Sequence, residues 1–270
     1  MERLLTILAA LFIIFYSFFV SSVIAQEFNF NRAYQDYLYT YSQYRDAHNE
    51  YVSAKEQYLS YKTLTAKTLA LEQTLKMLQQ RDKTIQTYLT ALRLKMAETT
   101  GIANYKQNTL YLKLDAEVSW YAQHQDEFPS AATLEDLVES AKETERHYSK
   151  TQVLAYQALG TIFEGKENNL RSQLDDQIEA IKDKISQIRE KGDKDTTTAE
   201  RWFLEAENKL IRSQEKLDWA VTTLDSMKTT TRNKTGRYND SQKLFQESHL
   251  YLKEANSYLK ELIREVKIAD

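Results

Sequence analysis

A chain that reverses direction often needs glycine, proline and short polar residues at each reversal. This one carries a single proline, Pro129, and five glycines in 270 residues. Folds built from many short strands are therefore excluded, and few, long elements remain. Between the sparse glycines the sequence is rich in Leu, Ala, Lys, Glu and Gln, all strong helix formers. Charged residues make up 28% and apolar ones 42%, a mixture that suits coiled coils when the apolar residues recur regularly.

They do recur. Tyr37, Tyr44, Tyr51 and Tyr58 stand seven apart, with Tyr34 and Tyr41 as the alternate position. The seam continues one residue out of phase through Leu64, Leu71, Leu78, Ile85 and Leu92. No glycine or proline interrupts residues 31–98, so the spacing predicts one helix of roughly 100 Å, disturbed at the phase slip. Thr99-Thr100-Gly101 predicts a kink, and Phe128-Pro129-Ser130 a boundary, with Thr133 and Asp136 placed to cap the next helix. That helix carries Leu134, Ala141, Tyr148, Ala155 and Ile162 at seven-residue spacing, then Leu170, Leu174, Ile178, Ile181, Ile185 and Ile188. Gly160 and Gly165 weaken it between the two runs. A loop at 191–195 precedes Thr197 and Glu200, which read as a capping box.

The last region is the most regular. Phe203, Leu210, Leu217, Leu224, Thr231, Tyr238, Phe245, Leu252, Leu259 and Val266 are all seven apart. Smaller companions, among them Ala206, Ser213, Ala220, Ser241, Ser248 and Ala255, form a second column that favours close helix approach. Residues 228–240 (KTTTRNKTGRYND) are poor helix formers, yet the register persists across them. They fit either a turn or a frayed continuous helix.

At the N-terminus, Leu4 to Val20 (LLTILAALFIIFYSFFV) carries no charge and follows Arg3. Such a segment enters a membrane during export. Val23 and Ala25 occupy the small-residue positions of a cleavage site, while the apolar length approaches that of a retained anchor. Either way the amine and Arg3 stay inside and the remainder crosses.

Composition also excludes. The net charge of −3 implies no nucleic-acid partner, and the absence of cysteine removes disulfides and thiol chemistry. Gly160 to Lys166 matches the first seven positions of a phosphate-binding loop, but the eighth is Glu167 where Mg²⁺ needs Ser or Thr, and no strand precedes it. His48, His124, His147 and His249 lack a glutamate three residues earlier, so they read as surface or seam-edge residues. The tyrosines between Tyr34 and Tyr61 invite a carbohydrate- or ligand-binding reading, against which their shared stripe favours packing. Lys228, Arg232, Lys234, Arg237 and Lys243 read as a solvated basic segment. Asn233 and Asn239 fit the short glycosylation pattern.

The expectation is an all-α chain of long antiparallel coiled-coil-like helices in an extended bundle, behind an N-terminal export segment. It divides into 1–25, a signal peptide or anchor; 26–128, a helical arm with a kink near 99–101; 129–192, a second helical segment; and 193–270, a C-terminal heptad helix or hairpin. No catalytic, cofactor-binding or metal-binding residues are expected, and no cofactor or small-molecule substrate. The expected partners are other helices, in the same chain or a homo-oligomer, and the membrane through residues 4–24 if they are retained. The expected function is a non-enzymatic, extracytoplasmic structural, scaffolding or tethering component of the cell envelope. The alternative is a holdase-like chaperone or a helical adaptor of a transport or secretion assembly.

Overall fold

The computed structural model describes residues 29–192 and 195–269. The export segment expected over residues 1–25 lies outside them. The described residues form six α-helices and no strand: α1 (Phe30–Tyr61), α2 (Leu64–Ala97), α3 (Asn104–Glu127), α4 (Leu134–Lys191), α5 (Thr197–Asp225) and α6 (Lys234–Ala269). A 3₁₀ turn, Phe128–Ser130, precedes α4. Among them no helix is long and apolar enough to cross a membrane.

The single helix expected over 31–98 is instead a hairpin. Lys62 adopts a left-handed conformation with φ 49° and Thr63 caps α2 through its hydroxyl, so the phase slip in the seam is a reversal. Lysine tolerates this rare conformation without help from glycine, which is why composition concealed the turn. Contacts run antiparallel: the Phe30 amide donates to Glu98 Oε1 at 2.9 Å, Thr40 meets Thr87 at 2.7 Å, and Lys76 meets Glu50 at 2.5 Å. The alternate position of the α1 seam is Ala33, Thr40, Ala47 and Ala54, all buried, whereas Tyr34 and Tyr41 are exposed. Tyr37, Tyr44, Tyr51 and Tyr58 are only half-buried.

At 99–103 the chain reverses again rather than kinking, with Gly101 at φ +82°. α3 returns along α2, held by Arg93–Asp115 at 2.7 Å and Gln86–Gln125 at 2.9 Å. The capping box of Thr133 and Asp136 then starts α4. This helix runs unbroken for 58 residues, about 87 Å, straight through Gly160 and Gly165. Its N-terminal half packs on α2 and α3 through Leu154, Ala158 and Ile162. Its C-terminal half packs on α5 and α6 through Leu174, Ile178, Ile185 and Ile188.

Of the expected α4 column, Ala155 and Ile162 are buried while Leu134, Ala141 and Tyr148 are not; the column buried throughout is Leu137, Thr144, Thr151, Ala158 and Gly165, also seven apart. Residues 226–233 form a turn, so α5 and α6 make a second antiparallel hairpin whose buried residues follow both expected columns, with Phe203 and Tyr238 half-buried. Ser213 and Ser248 meet at 2.9 Å inside it, flanked by Lys209–Glu254 and Lys216–Glu247 at 2.6 Å. The start of α5 differs in detail: Asp195 Oδ1, not a Thr197–Glu200 box, accepts from the Thr197 amide at 2.9 Å.

The helical glycines serve close approach. A side chain at Gly160 would strike Leu224, and a Cβ at Gly165 would stand 2.5 Å from Ile102 Cγ1 and 2.9 Å from the Thr100 carbonyl oxygen. On a free helix surface Gly→Ala gains about 1 kcal/mol. Here Gly165→Ala should lower stability by about 1–3 kcal/mol through overpacking against backbone, read as an earlier urea midpoint. A later midpoint would show that the turn at 99–102 is free to move away. Leu224 is buried against the same stretch of α4, while Thr222 is exposed. Leu224→Asp should cost about 3–5 kcal/mol and Thr222→Asp under about 0.5; equal effects would contradict the seam.

Candidate functional site: a tyrosine-lined trough beside a buried histidine network

Three helices that do not close around a common axis leave a trough. α2 forms its floor and α1 and α4 its walls, around a volume of about 840 Å³. Tyr37, Tyr41 and Tyr44 line it from α1, Tyr88 from α2, and Tyr148 and Tyr156 from α4. The stripe is therefore only partly a packing seam, and half of it faces open space. Tyr37 packs on Tyr88 with ring centroids 5.3 Å apart, and Tyr156 stacks on Tyr238 at 4.3 Å. Burial pushes the Tyr88 hydroxyl up to about 12, with the neighbouring tyrosines adding to the shift, so it stays a neutral donor.

Behind the trough lies a polar core. On α3 and at the start of the 3₁₀ turn that follows it, Leu110, Leu114, Glu117, Tyr121, His124 and Phe128 follow alternating four- and three-residue spacing, and all are buried. Two seam positions are thus polar. His124 Nδ1 donates to Asp82 Oδ2 at 2.6 Å, and Arg81 Nε donates to the other oxygen of Asp82 at 3.0 Å. Arg81 Nη2 also donates to Thr144 Oγ1 at 2.6 Å. One turn along, His147 Nε2 donates to Glu117 Oε2 at 2.7 Å and Lys150 Nζ lies 2.5 Å from Oε1. Thr151 donates to Glu117 at 2.8 Å, which leaves its oxygen to accept from Tyr121 at 3.0 Å. The Trp120 ring lies between the two pairs, stacked on His147 at 3.6 Å and on His124 at 4.8 Å. Arg81, Thr144 and Thr151 belong to both the network and the trough wall.

Sequence reasoning placed all four histidines at surfaces or seam edges. The structure buries His124, at 4% exposure, and half-buries His147. What could have revealed them is the α3 seam, in which Glu117 and His124 occupy positions that its Leu and Tyr members mark as internal. His249 pairs with Glu167 at 3.1 Å, and burial raises that carboxyl above its usual range despite the histidine. His48 lies between Tyr44 and Tyr51 on the outer side of α1.

The arrangement neutralises charge; it does not aim a nucleophile. The imidazole nitrogen nearest Thr144, at 3.4 Å, is the one committed to Asp82. Among the described residues no three His, Asp or Glu side chains converge as metal ligands would. The Gly160–Lys166 segment is continuous helix, with Glu164 bound to Lys106 at 2.8 Å and Lys166 over the Phe163 ring. In the basic segment, Asn233 Oδ1 accepts from the Gly236 amide at 2.9 Å and Lys243 pairs with Asp240 at 3.6 Å. No protein-family model, curated protein or solved structure matches the chain.

Burial pushes the Glu117 carboxyl up, but hydrogen bonds from Lys150 and Thr151 and the nearby His147 outweigh it and hold it below its ordinary 4.5. A carboxyl depressed in the folded state contributes stability above its unfolded value and loses it as pH falls through the folded one. Glu117→Gln should therefore be less stable than the parent above pH 4.5. The gap should narrow as pH falls below that value, measured by urea unfolding at each pH. A gap independent of pH would mean the carboxylate is not held by its partners.

Proposed function

We propose that the chain is a non-enzymatic, extracytoplasmic coiled-coil protein that scaffolds or tethers components of the cell envelope. The observation that carries this reading is α4, one uninterrupted helix of 58 residues packed against neighbours along both halves. A span of about 87 Å stiffened by bundles on either side transmits position over distance. Heptad-spaced, small-residue seams in both hairpins support the coiled-coil part of the reading. The charge-free run Leu4–Val20 behind Arg3 supports export.

A second reading, a holdase-like chaperone or adaptor, draws support from the tip of the α1–α2 hairpin. There Leu59, Tyr61 and Leu64 are 59%, 73% and 81% exposed, where a client could be gripped.

A reporter active only outside the cytoplasm, fused after Asp270, should be active, and an inactive one would remove the location. N-terminal sequencing of the exported chain decides between a cleaved segment, which begins at Gln26, and a retained anchor. Under the scaffold reading the purified chain should leave heat-induced aggregation of an added client unchanged. Suppression that disappears in the Leu59→Ser, Tyr61→Ser, Leu64→Ser triple variant would favour the chaperone instead.

A further inference from the structure

The α1–α2 hairpin outruns the rest of the bundle. The cluster nearest its tip that it shares with other elements joins Leu71, Leu75 and Leu78 to Phe128 and Leu137. From Leu71 to Leu64 α2 continues for about 10 Å. The residues buried there and at the end of α1 are alanines, Ala54, Ala66 and Ala70. A solvated reversal is ordinarily polar. This one carries Leu59, Tyr61 and Leu64 within one helical turn of Lys62, and Leu64 is the most exposed large apolar side chain among the described residues. Helical side chains lean toward the N-terminus of their helix. At the first position of α2, Leu64 therefore leans outward off the end of the arm, and Leu59 and Tyr61 on α1 form a ring behind it.

The charges around the tip have one sign and are unspent. Between Gln57 and Leu71 the chain has Lys62 and Lys67 and no acidic residue, in a protein of net charge −3. Neither lysine has a carboxylate partner among the described residues, and the next ion pair along the hairpin is Lys76 with Glu50. Lys55, above the Tyr51 ring, and Glu56 stand behind the tip with opposite signs. Ser60, Thr63 and Thr65 add hydroxyls to the rim. Exposed apolar residues with a polar rim mark a surface for protein or for lipid. Shape decides between them here. The tip is convex, so a protein partner would have to offer a recess that fits it. A bilayer admits a wedge anywhere, seating Leu at the acyl boundary, Tyr among the headgroups and Lys against their phosphates.

We infer that the α1–α2 tip is a lipid-docking element that enters the interface of a phospholipid bilayer bearing anionic headgroups. Leu64 and Leu59 supply the apolar contact, Tyr61 sits at headgroup depth, and Lys62 and Lys67 meet the negative charge. Apolar insertion and charge attraction are both needed, since a single weak anchor holds a surface only marginally. This deepens the tethering reading by naming what the far end of the hairpin holds, and rests on that reading. The reporter fusion tests export separately, so either can fail alone.

The chain has no cysteine, so Ser60→Cys can carry an environment-sensitive fluorophore that reports the tip alone. Vesicles of equal parts phosphatidylglycerol and phosphatidylcholine, added to the purified exported chain, should shift its emission to the blue. The same label at Ser257→Cys, an exposed site on α6, should not respond. With Leu59→Ser, Tyr61→Ser and Leu64→Ser added, the shift should need at least about tenfold more lipid. These residues are exposed, so the helical spectrum and melting behaviour should stay those of the parent. Lys62→Asn with Lys67→Gln should weaken binding to the anionic vesicles several-fold and leave the lower affinity for pure phosphatidylcholine unchanged; asparagine tolerates the left-handed conformation at 62. No response at Ser60, an equal response at Ser257, or anionic binding undiminished in either variant would overturn the proposal. So would a Ser60 response to an unfolded client protein with none to vesicles, which would favour the chaperone reading.

Discussion

The structure depends on one helix being allowed to pass uninterrupted between two sets of neighbours. α4 meets α2 and α3 along its first half and α5 and α6 along its second. Around residues 151–167 it is crowded from both sides, with Val153 facing α5 and α6 while Leu154, Ala155 and Ala158 face α2 and α3. Ordinary side chains at every position there would hold the neighbours too far out. Gly160 admits Leu224 at the end of α5, and Gly165 admits the turn between α2 and α3. Lys106 then ties the junction, reaching Glu164 at 2.8 Å and Asp225 at 3.2 Å. Burial alone would lower that ammonium's pKa; the two carboxylates outweigh it and raise it, so the charge is retained.

Both hairpins solve the same packing problem with small residues. Ala33, Thr40, Ala47 and Ala54 face α2, and Ala206, Ser213 and Ala220 face α6. Close axes limit what large side chains can bury, so each hairpin needs a third helix for stability. α4 supplies the apolar face in both cases. The α5–α6 hairpin receives Leu174, Ile178, Ile185 and Ile188. The α1–α2 hairpin receives less. α4 reaches α2 but leaves α1 uncovered along its tyrosines, and that asymmetry creates the trough.

The helical class, the second hairpin's seam and the start of α4 were legible because each is local. Seven-residue columns and a Thr–Asp capping pair express physics within a few turns of chain. The Lys62 reversal was not legible: it uses a residue that rarely adopts positive φ, and its only trace was a one-residue slip in the seam. The same limit hid the choice of face on α4. Before Ala155 and Ile162, which are buried as expected, Leu134, Ala141 and Tyr148 outweigh Leu137, Thr144 and Thr151 in hydrophobicity, yet the second set is buried. Thr144 and Thr151 hydrogen-bond to Arg81 and Glu117, and those partners come from helices more than 30 residues away in sequence. A face chosen by long-range polar contacts cannot be found by counting apolar residues.

That choice also explains why the trough stays open. An aromatic cleft of about 840 Å³ would shrink if α4 rolled toward α1, since burying its tyrosines is favourable. Rolling would pull Thr151 and His147 from Glu117, and Thr144 from Arg81. Glu117 is almost wholly inaccessible to water, so removing its partners strands a buried carboxylate, at about 3–5 kcal/mol. A buried ion network of this kind adds little to stability compared with a well-packed apolar core. Its effect lies in restricting alternatives: α4 can meet α2 and α3 in one register, with Trp120 wedged between the two histidines. The polar core therefore fixes which face of α4 is spent against α2 and α3, and so which face lines the trough.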